Sequence, residues 1–158
     1  MIKKILSFVF IVGVLISLSA FQTDNPAECD AEEALKTCKK NLTPFYFQDR
    51  KTVTFDYNAD TQTKEYDIQL FDGEEYRFIL NRTYAPGVEF EVYNKSKDSK
   101  KRKLLYSSIE DTNKGSLLIF EPVTIPHVYV DVIVPSGVDG RKQGCVTMMI
   151  GYELVFID

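Results

Sequence analysis

Glu65-Tyr-Asp-Ile-Gln-Leu-Phe-Asp-Gly-Glu-Glu-Tyr-Arg-Phe-Ile-Leu80 is the stretch that decides the fold. Tyr66, Ile68 and Leu70 alternate with Asp67 and Gln69, and Tyr76, Phe78 and Leu80 resume the alternation after Asp72-Gly73. A period of two belongs to a strand with one face buried. Asp-Gly is a turn signal, so the two runs are expected to pair as a hairpin.

The same period extends in both directions. Val53 and Phe55 precede the stretch; Val88, Phe90 and Val92 follow it. Leu104 to Ser107 and Leu117 to Phe120 are shorter apolar strands, and Val128, Val130, Val132 and Val134 point one way against Tyr129, Asp131 and Ile133. A last strand is expected from Val146 to Phe156, with Gly151 marking a bend or bulge. About eight strands at short spacing predict a mainly β protein, an antiparallel β-sandwich. The absence of strand–helix–strand alternation excludes a doubly wound parallel sheet.

Ahead of the strands the period changes. Ala27, Ala31, Ala34, Leu35, Cys38 and Leu42 recur at three and four, the spacing of one helix face. Asn25 as cap, Pro26 at the first turn and Glu28 as capping-box partner predict a helix from about Pro26 to Asn41, stopped by Pro44. Glu32 and Glu33 lie early, with Lys36, Lys39 and Lys40 late, which suits the helix dipole. This amphipathic helix is expected to pack its stripe on the sandwich.

Residues 1–20 have the pattern of a targeting signal. Lys3 and Lys4 precede an apolar run from Ile5 to Ile16, and Ser17-Leu18-Ser19-Ala20 offers small residues for cleavage. The expected organisation is a signal peptide over 1–20, a helix segment over 21–44 and a β-sandwich over 45–158. Such a chain is exported, periplasmic or extracellular, and is not an integral membrane protein after cleavage. Cleavage leaves 17 basic against 23 acidic residues, a net charge of about −6. Together with a pI near 5.1 this argues against a nucleic-acid partner.

The strand order also carries a resemblance. Glu65 to Phe78, Val88-Glu-Phe-Glu-Val-Tyr-Asn94, Leu104 to Ser108, Leu117 to Pro122 and Val128 to Val132 together resemble bacterial pre-peptidase C-terminal-like domains. Leu70 to Phe78, Val134-Pro135, Gly144-Cys145 and Gly151-Tyr152 are similar to segments of uncharacterised exported bacterial β-sandwich proteins. The resemblance covers residues 64–157 and implies a jelly-roll-like sandwich. It implies no catalytic residues.

Little else suggests chemistry. His127 is the single histidine, so a multi-His metal site is excluded, and a catalytic pair would need it beside a Ser or Cys145. Asp56, Asn58, Asp60 and Asp67 echo a calcium loop, but Thr61 stands where that loop needs Gly. Glu74-Glu75 is an ordinary surface pair. No metal or cofactor is expected. The sharpest charge feature is Asn94 to Lys103, which holds Lys95, Lys97, Lys100, Lys101, Arg102 and Lys103 against one acid. It reads as a solvated loop able to dock an anionic partner. The partner classes that fit are an envelope glycan, lipopolysaccharide or an envelope protein. The chain is thus read as a non-enzymatic β-sandwich with a binding or structural role at the bacterial envelope. The alternative is a small secreted hydrolase or inhibitor.

Export to an oxidising compartment makes a disulfide the expectation for the three cysteines. On a helix starting at Pro26, Cys29 and Cys38 lie about 13 Å apart along the axis and cannot bond. Cys38 shares the buried stripe and Cys29 faces away, which predicts Cys38–Cys145 with Cys29 free or paired between chains. The alternative is that Cys38 is a buried small apolar side chain and makes no bridge.

Overall fold

A computed structural model describes residues 29–112, 114–122, 126–137 and 140–155. The expected signal peptide over 1–20, the expected cap at Asn25 to Glu28, and Phe156 lie outside the described residues. Among the described residues one helix, α1 (Ala31–Leu42), precedes eight strands. These are β1 (Tyr46–Asp56), β2 (Gln62–Gln69), β3 (Glu74–Asn81), β4 (Glu89–Tyr93), β5 (Leu104–Ser107), β6 (Leu117–Phe120), β7 (His127–Val134) and β8 (Gln143–Leu154).

The strands form two four-stranded sheets, A in the order β1-β8-β3-β6 and B in the order β2-β7-β4-β5. Every pairing is antiparallel. The pairs β1·β8, β2·β7, β3·β6 and β4·β5 nest one inside another, the order of a jelly roll. The mainly β sandwich expected from the alternation is therefore present.

The hairpin expected at Asp72-Gly73 is not. A turn does form there, with Gly73 at φ +84°, but it arches between the sheets. Leu70 donates its N–H to the Pro126 carbonyl at 2.9 Å, continuing β2 along β7. Past the turn, Val155 donates to the Gly73 carbonyl at 3.3 Å as β3 joins β8. Leu70 is buried at the corner. A buried apolar side chain at that point draws the chain over the end of the core instead of back along one sheet.

Alternation maps onto burial as the sequence implies. Tyr76, Phe78 and Leu80 face Val88, Phe90, Val92 and the four valines of β7 in the main core between the sheets. Val146, Met148 and Ile150 supply the same core from β8. The opposite face of sheet A is also covered. Ile79 and Met149 meet Cys38 and Leu42 of α1, with Leu35, Phe45 and Leu117 at the margin. The molecule thus has three layers, helix on sheet on sheet.

Gly151 sits where α1 hands over to β1. A Cβ there would meet Leu42 Cδ1 at 2.6 Å and the Tyr46 carbonyl oxygen at 2.9 Å. The backbone oxygen cannot swing aside, so Gly151→Ala is expected to cost about 2 kcal/mol by overpacking. A urea titration beside Gly137→Ala, a site with nothing within 4 Å of the added Cβ, checks this. Equal midpoints for the two variants would contradict it.

The helix starts later than expected. Asp30 is its cap, accepting from Glu33 N–H at 2.9 Å, and Ala31 is its first residue. Cys29 therefore precedes the helix and is not on its face. The disulfide is Cys29–Cys145, with Cα atoms 5.6 Å apart, and Cys38 is a free, buried thiol. The Cys38–Cys145 pairing is corrected on that ground. Cys38 packs over Met149, which lies four residues from Cys145 on β8, about 13 Å along a strand. A bridge needs Cα atoms within about 7 Å. Burial pushes the Cys38 thiol up to about 11, with Asn81 as its hydrogen-bond partner.

Candidate functional site

The basic loop joins β4 to β5, the one pair of chain-neighbouring strands among the described residues that forms a hairpin. Its base is closed twice by Asn94 and Lys103. Asn94 N–H donates to the Lys103 carbonyl at 3.2 Å, and Asn94 Oδ1 accepts from Lys103 N–H at 2.7 Å. Inside it, Ser99 N–H donates to the Ser96 carbonyl at 3.0 Å and Arg102 N–H to the Ser99 carbonyl at 3.3 Å. Serine and asparagine favour such turns because their side chains offer the backbone local partners.

Five of the six basic side chains behave as expected. Lys95, Lys97, Lys100, Lys101 and Lys103 are exposed. Among the described residues, no ion pair holds any of them.

Arg102 is different, and its place in the anion-binding set is corrected. It folds back onto the outer face of sheet B, its side chain 18% exposed. Nη2 reaches Asp131 Oδ2 at 2.9 Å and Glu65 Oε2 at 3.0 Å. Nε donates to the Lys95 carbonyl at 3.1 Å, and the guanidinium lies 3.4 Å from the centre of the Tyr93 ring. Glu65 Oε2 also accepts from Lys97 N–H at 2.7 Å. A planar, forked cation suits such a multi-partner place better than lysine.

The cause lies in strand register. Glu65 stands opposite Asp131, and Asp131 stands opposite Glu91, so three carboxylates form one row across β2, β7 and β4. Like charges directly opposite destabilise a sheet. Arg102 neutralises two of them, and Glu91 accepts from the Tyr93 hydroxyl at 2.6 Å. Burial pushes the Asp131 carboxyl above its ordinary value, with the nearby Arg102 pulling it back. Burial and the hydrogen bond to Glu91 push the Tyr93 phenol up to about 12, so it stays protonated as a donor.

The other candidates are scattered. His127 Nε2 lies 3.2 Å from Asp67 Oδ1, both side chains well exposed, with the Tyr129 ring 6.0 Å away. Cys145 cannot serve as its nucleophile because its sulfur is bonded to Cys29. Asp56 Oδ1 accepts from Gln143 Nε2 at 3.0 Å, and Asp67 lies on β2, so the calcium-loop echo does not converge. Among the described residues no group of three acidic, Cys or His side chains is placed to hold a metal ion.

Fold and loop together define a jelly-roll β-sandwich with a disulfide-tethered helix and a clamped, lysine-rich hairpin loop. No protein-family model matches the chain, and none of the curated proteins matches it. Among the described residues, no helix is long and apolar enough to cross a membrane.

Proposed function

We propose that this chain is an exported, non-enzymatic β-sandwich that docks an anionic surface of the bacterial envelope through the lysines of the 94–103 loop. The observation that carries the reading is the Arg102 clamp. By spending one cation on the acidic row beneath, the loop displays five lysines from a backbone already held in place. Preorganisation lowers the ordering cost of binding. The molecule as a whole is acidic, so attraction must be local and sensitive to salt. The apolar leader and the disulfide support export, since disulfides persist in oxidising compartments. Kinship with pre-peptidase C-terminal-like domains is part of the same proposal, and the nested strand order is compatible with it.

The test leaves the clamp intact. A variant with Lys97, Lys100, Lys101 and Lys103 all changed to Gln should unfold at the wild-type temperature, because the four side chains are exposed. On vesicles rich in anionic phospholipid its retention should fall on the order of a hundredfold at low salt, and the difference should shrink at high salt. Equal retention at low salt on both vesicles and lipopolysaccharide overturns the reading. Loss on lipopolysaccharide but not on vesicles would assign the partner to the glycolipid.

A small hydrolase is the second reading, favoured by one observation, the Asp67–His127 contact. Ester hydrolysis by the wild type that disappears in His127→Gln would put it first.

A further inference from the structure

Large apolar side chains left on the surface gather at one end of the sandwich. β2 ends there, with Gln69 opposite His127, and so does β4, with Tyr93 opposite Tyr129. The 70–73 arch joins β2 to β3 at the same end, and β8 finishes beside it with Leu154 opposite Glu74. β1 starts there as well, with Tyr46 opposite Tyr152. Tyr46, Phe47, Phe71, Leu154 and Val155 are 45–65% exposed. They are neighbours. The Tyr46 and Tyr152 rings lie 6.0 Å apart, Leu154 is the next residue on the Tyr152 face, and Val155 bonds the Gly73 carbonyl two residues from Phe71. Of the other exposed large apolar side chains among the described residues, Leu104 lies at this end too, at the foot of the lysine loop. Clustered apolar surface of this kind marks an interaction site.

Carboxylates rim this cluster. Glu75 stands directly opposite Glu153, and Asp72 is exposed in the arch. Like charges directly opposite destabilise a sheet. The row on sheet B has Arg102 to offset it. Among the described residues no cation pairs with Asp72, Glu75 or Glu153. Arg77, the next residue on the Glu75 face, is engaged by Glu121 and by the carbonyls of Asn41 and Thr43. The rim therefore fits a basic partner surface with apolar side chains of its own. The 94–103 loop, with Leu104 at its foot, is such a surface, and it stands at this same end on the sheet B side. A two-fold axis lying across the end and parallel to the sheets turns sheet B of one copy over sheet A of the next. Each copy's lysines then meet the other's carboxylates, with the apolar clusters between them. A surface complementary to itself in this way closes as an isologous dimer.

We propose that this end is a homodimer interface, in which the lysine loop of each copy lies against Asp72, Glu75 and Glu153 of the other around a centre of Tyr46, Phe71 and Leu154. Dimer and envelope-docked monomer exclude each other, because both use the same lysines. A patch this small makes a transient interface, with Kd on the order of 10 μM, so dilute protein is monomeric. The experiment is sedimentation velocity on the disulfide-bonded exported protein from about 1 to 200 μM at low salt, where the wild type should pass from monomer to dimer. Glu75→Lys with Glu153→Lys should weaken association roughly a hundredfold, and so should Lys100→Glu, Lys101→Glu and Lys103→Glu together. Mixed in equal amounts, these two variants should recover dimer, since both loop contacts are then between opposite charges. One chain carrying all five changes should dimerise by itself for the same reason. Phe71→Ser, at an exposed position, should weaken association about tenfold. A wild type that stays monomeric at every concentration overturns the proposal; if it is still retained on anionic vesicles, the docking reading stands without it. Dimer that appears only after residues 156–158 are removed gives the apolar cluster to the chain's own end and overturns it too. Association unchanged by either charge reversal, or reversed variants that neither pair when mixed nor dimerise when combined in one chain, overturn it equally.

Discussion

Cys29→Ser is expected to lower stability by about 4–5 kcal/mol, the largest effect of any single substitution proposed for this protein. Cys29 and Cys145 are 116 residues apart, so their bond closes nearly the whole described chain into one loop. In the chain-entropy model a loop of about 100 residues is worth about 4.7 kcal/mol, by restricting the unfolded ensemble. Cys29 is the better site for the change because it is half-buried, whereas Cys145 is 1% exposed and a serine there would bury a hydroxyl. The loss should appear in urea titrations of the variant, and the wild type with reductant should match it. Cys38 should resist alkylation in the folded protein, being fully buried with its thiol pushed up to about 11. A loss under about 1 kcal/mol, or a Cys38–Cys145 peptide in a non-reducing digest, would contradict this account.

Arg102→Ala should cost about 3 kcal/mol, far more than any lysine of the same loop. The variant strands Asp131, 4% exposed, beside Glu65 and Glu91 with no counter-charge. Breaking a buried pair from one side is costly because the remaining charge stays desolvated. Adding Asp131→Asn should recover part of the loss, since an amide removes the buried charge at nearly constant shape. Single Lys→Gln changes at Lys100 or Lys101 should stay within about 0.5 kcal/mol. The penalty should also depend on pH. Burial raises the Asp131 carboxyl, so in the relevant range the folded state holds a proton that the unfolded state has released. A raised acid contributes stability that is complete below its unfolded value and is lost as pH rises through its folded value. Without Arg102 the opposing attraction is gone and the carboxyl rises further. The Arg102→Ala penalty should therefore be smaller near pH 4, about the ordinary aspartate value, than at pH 7. Urea titrations at both values decide it. A penalty independent of pH would mean that Asp131 keeps its charge by another route.

Arg102 shows where local reading stops. Lys95 to Lys103 looks like six equivalent cations because nothing nearby in the chain distinguishes Arg102 from its neighbours. Its partners Glu65 and Asp131 lie 37 and 29 residues away. Each reads alone as an outward strand residue. Only the register of β2, β7 and β4 sets them in one row. The five lysines were legible as exposed; the clamp that holds their loop was not. The bulge at Gln48 is similar, since the register shift between Phe47 and Asp49 depends on how β1 meets β8, just over a hundred residues later.

Alternation at period two was enough to determine the strands, their inward faces and the turn at Asp72-Gly73. It could do so because burial of every second side chain is a local property of an extended chain. The helix stripe was equally plain, and Ala34, Cys38 and Leu42 are its buried residues. The tertiary structure alone decided which strands pair. Period two marks a face and says nothing of partners, so β2 and β3 read as a hairpin although they lie in different sheets. It also decided the disulfide. Helical phase places Cys29 only if the helix already includes it, and the cap at Asp30 starts the helix just beyond. Once α1 lies along β8 with Cys38 over Met149, Cys145 is within reach of Cys29 alone.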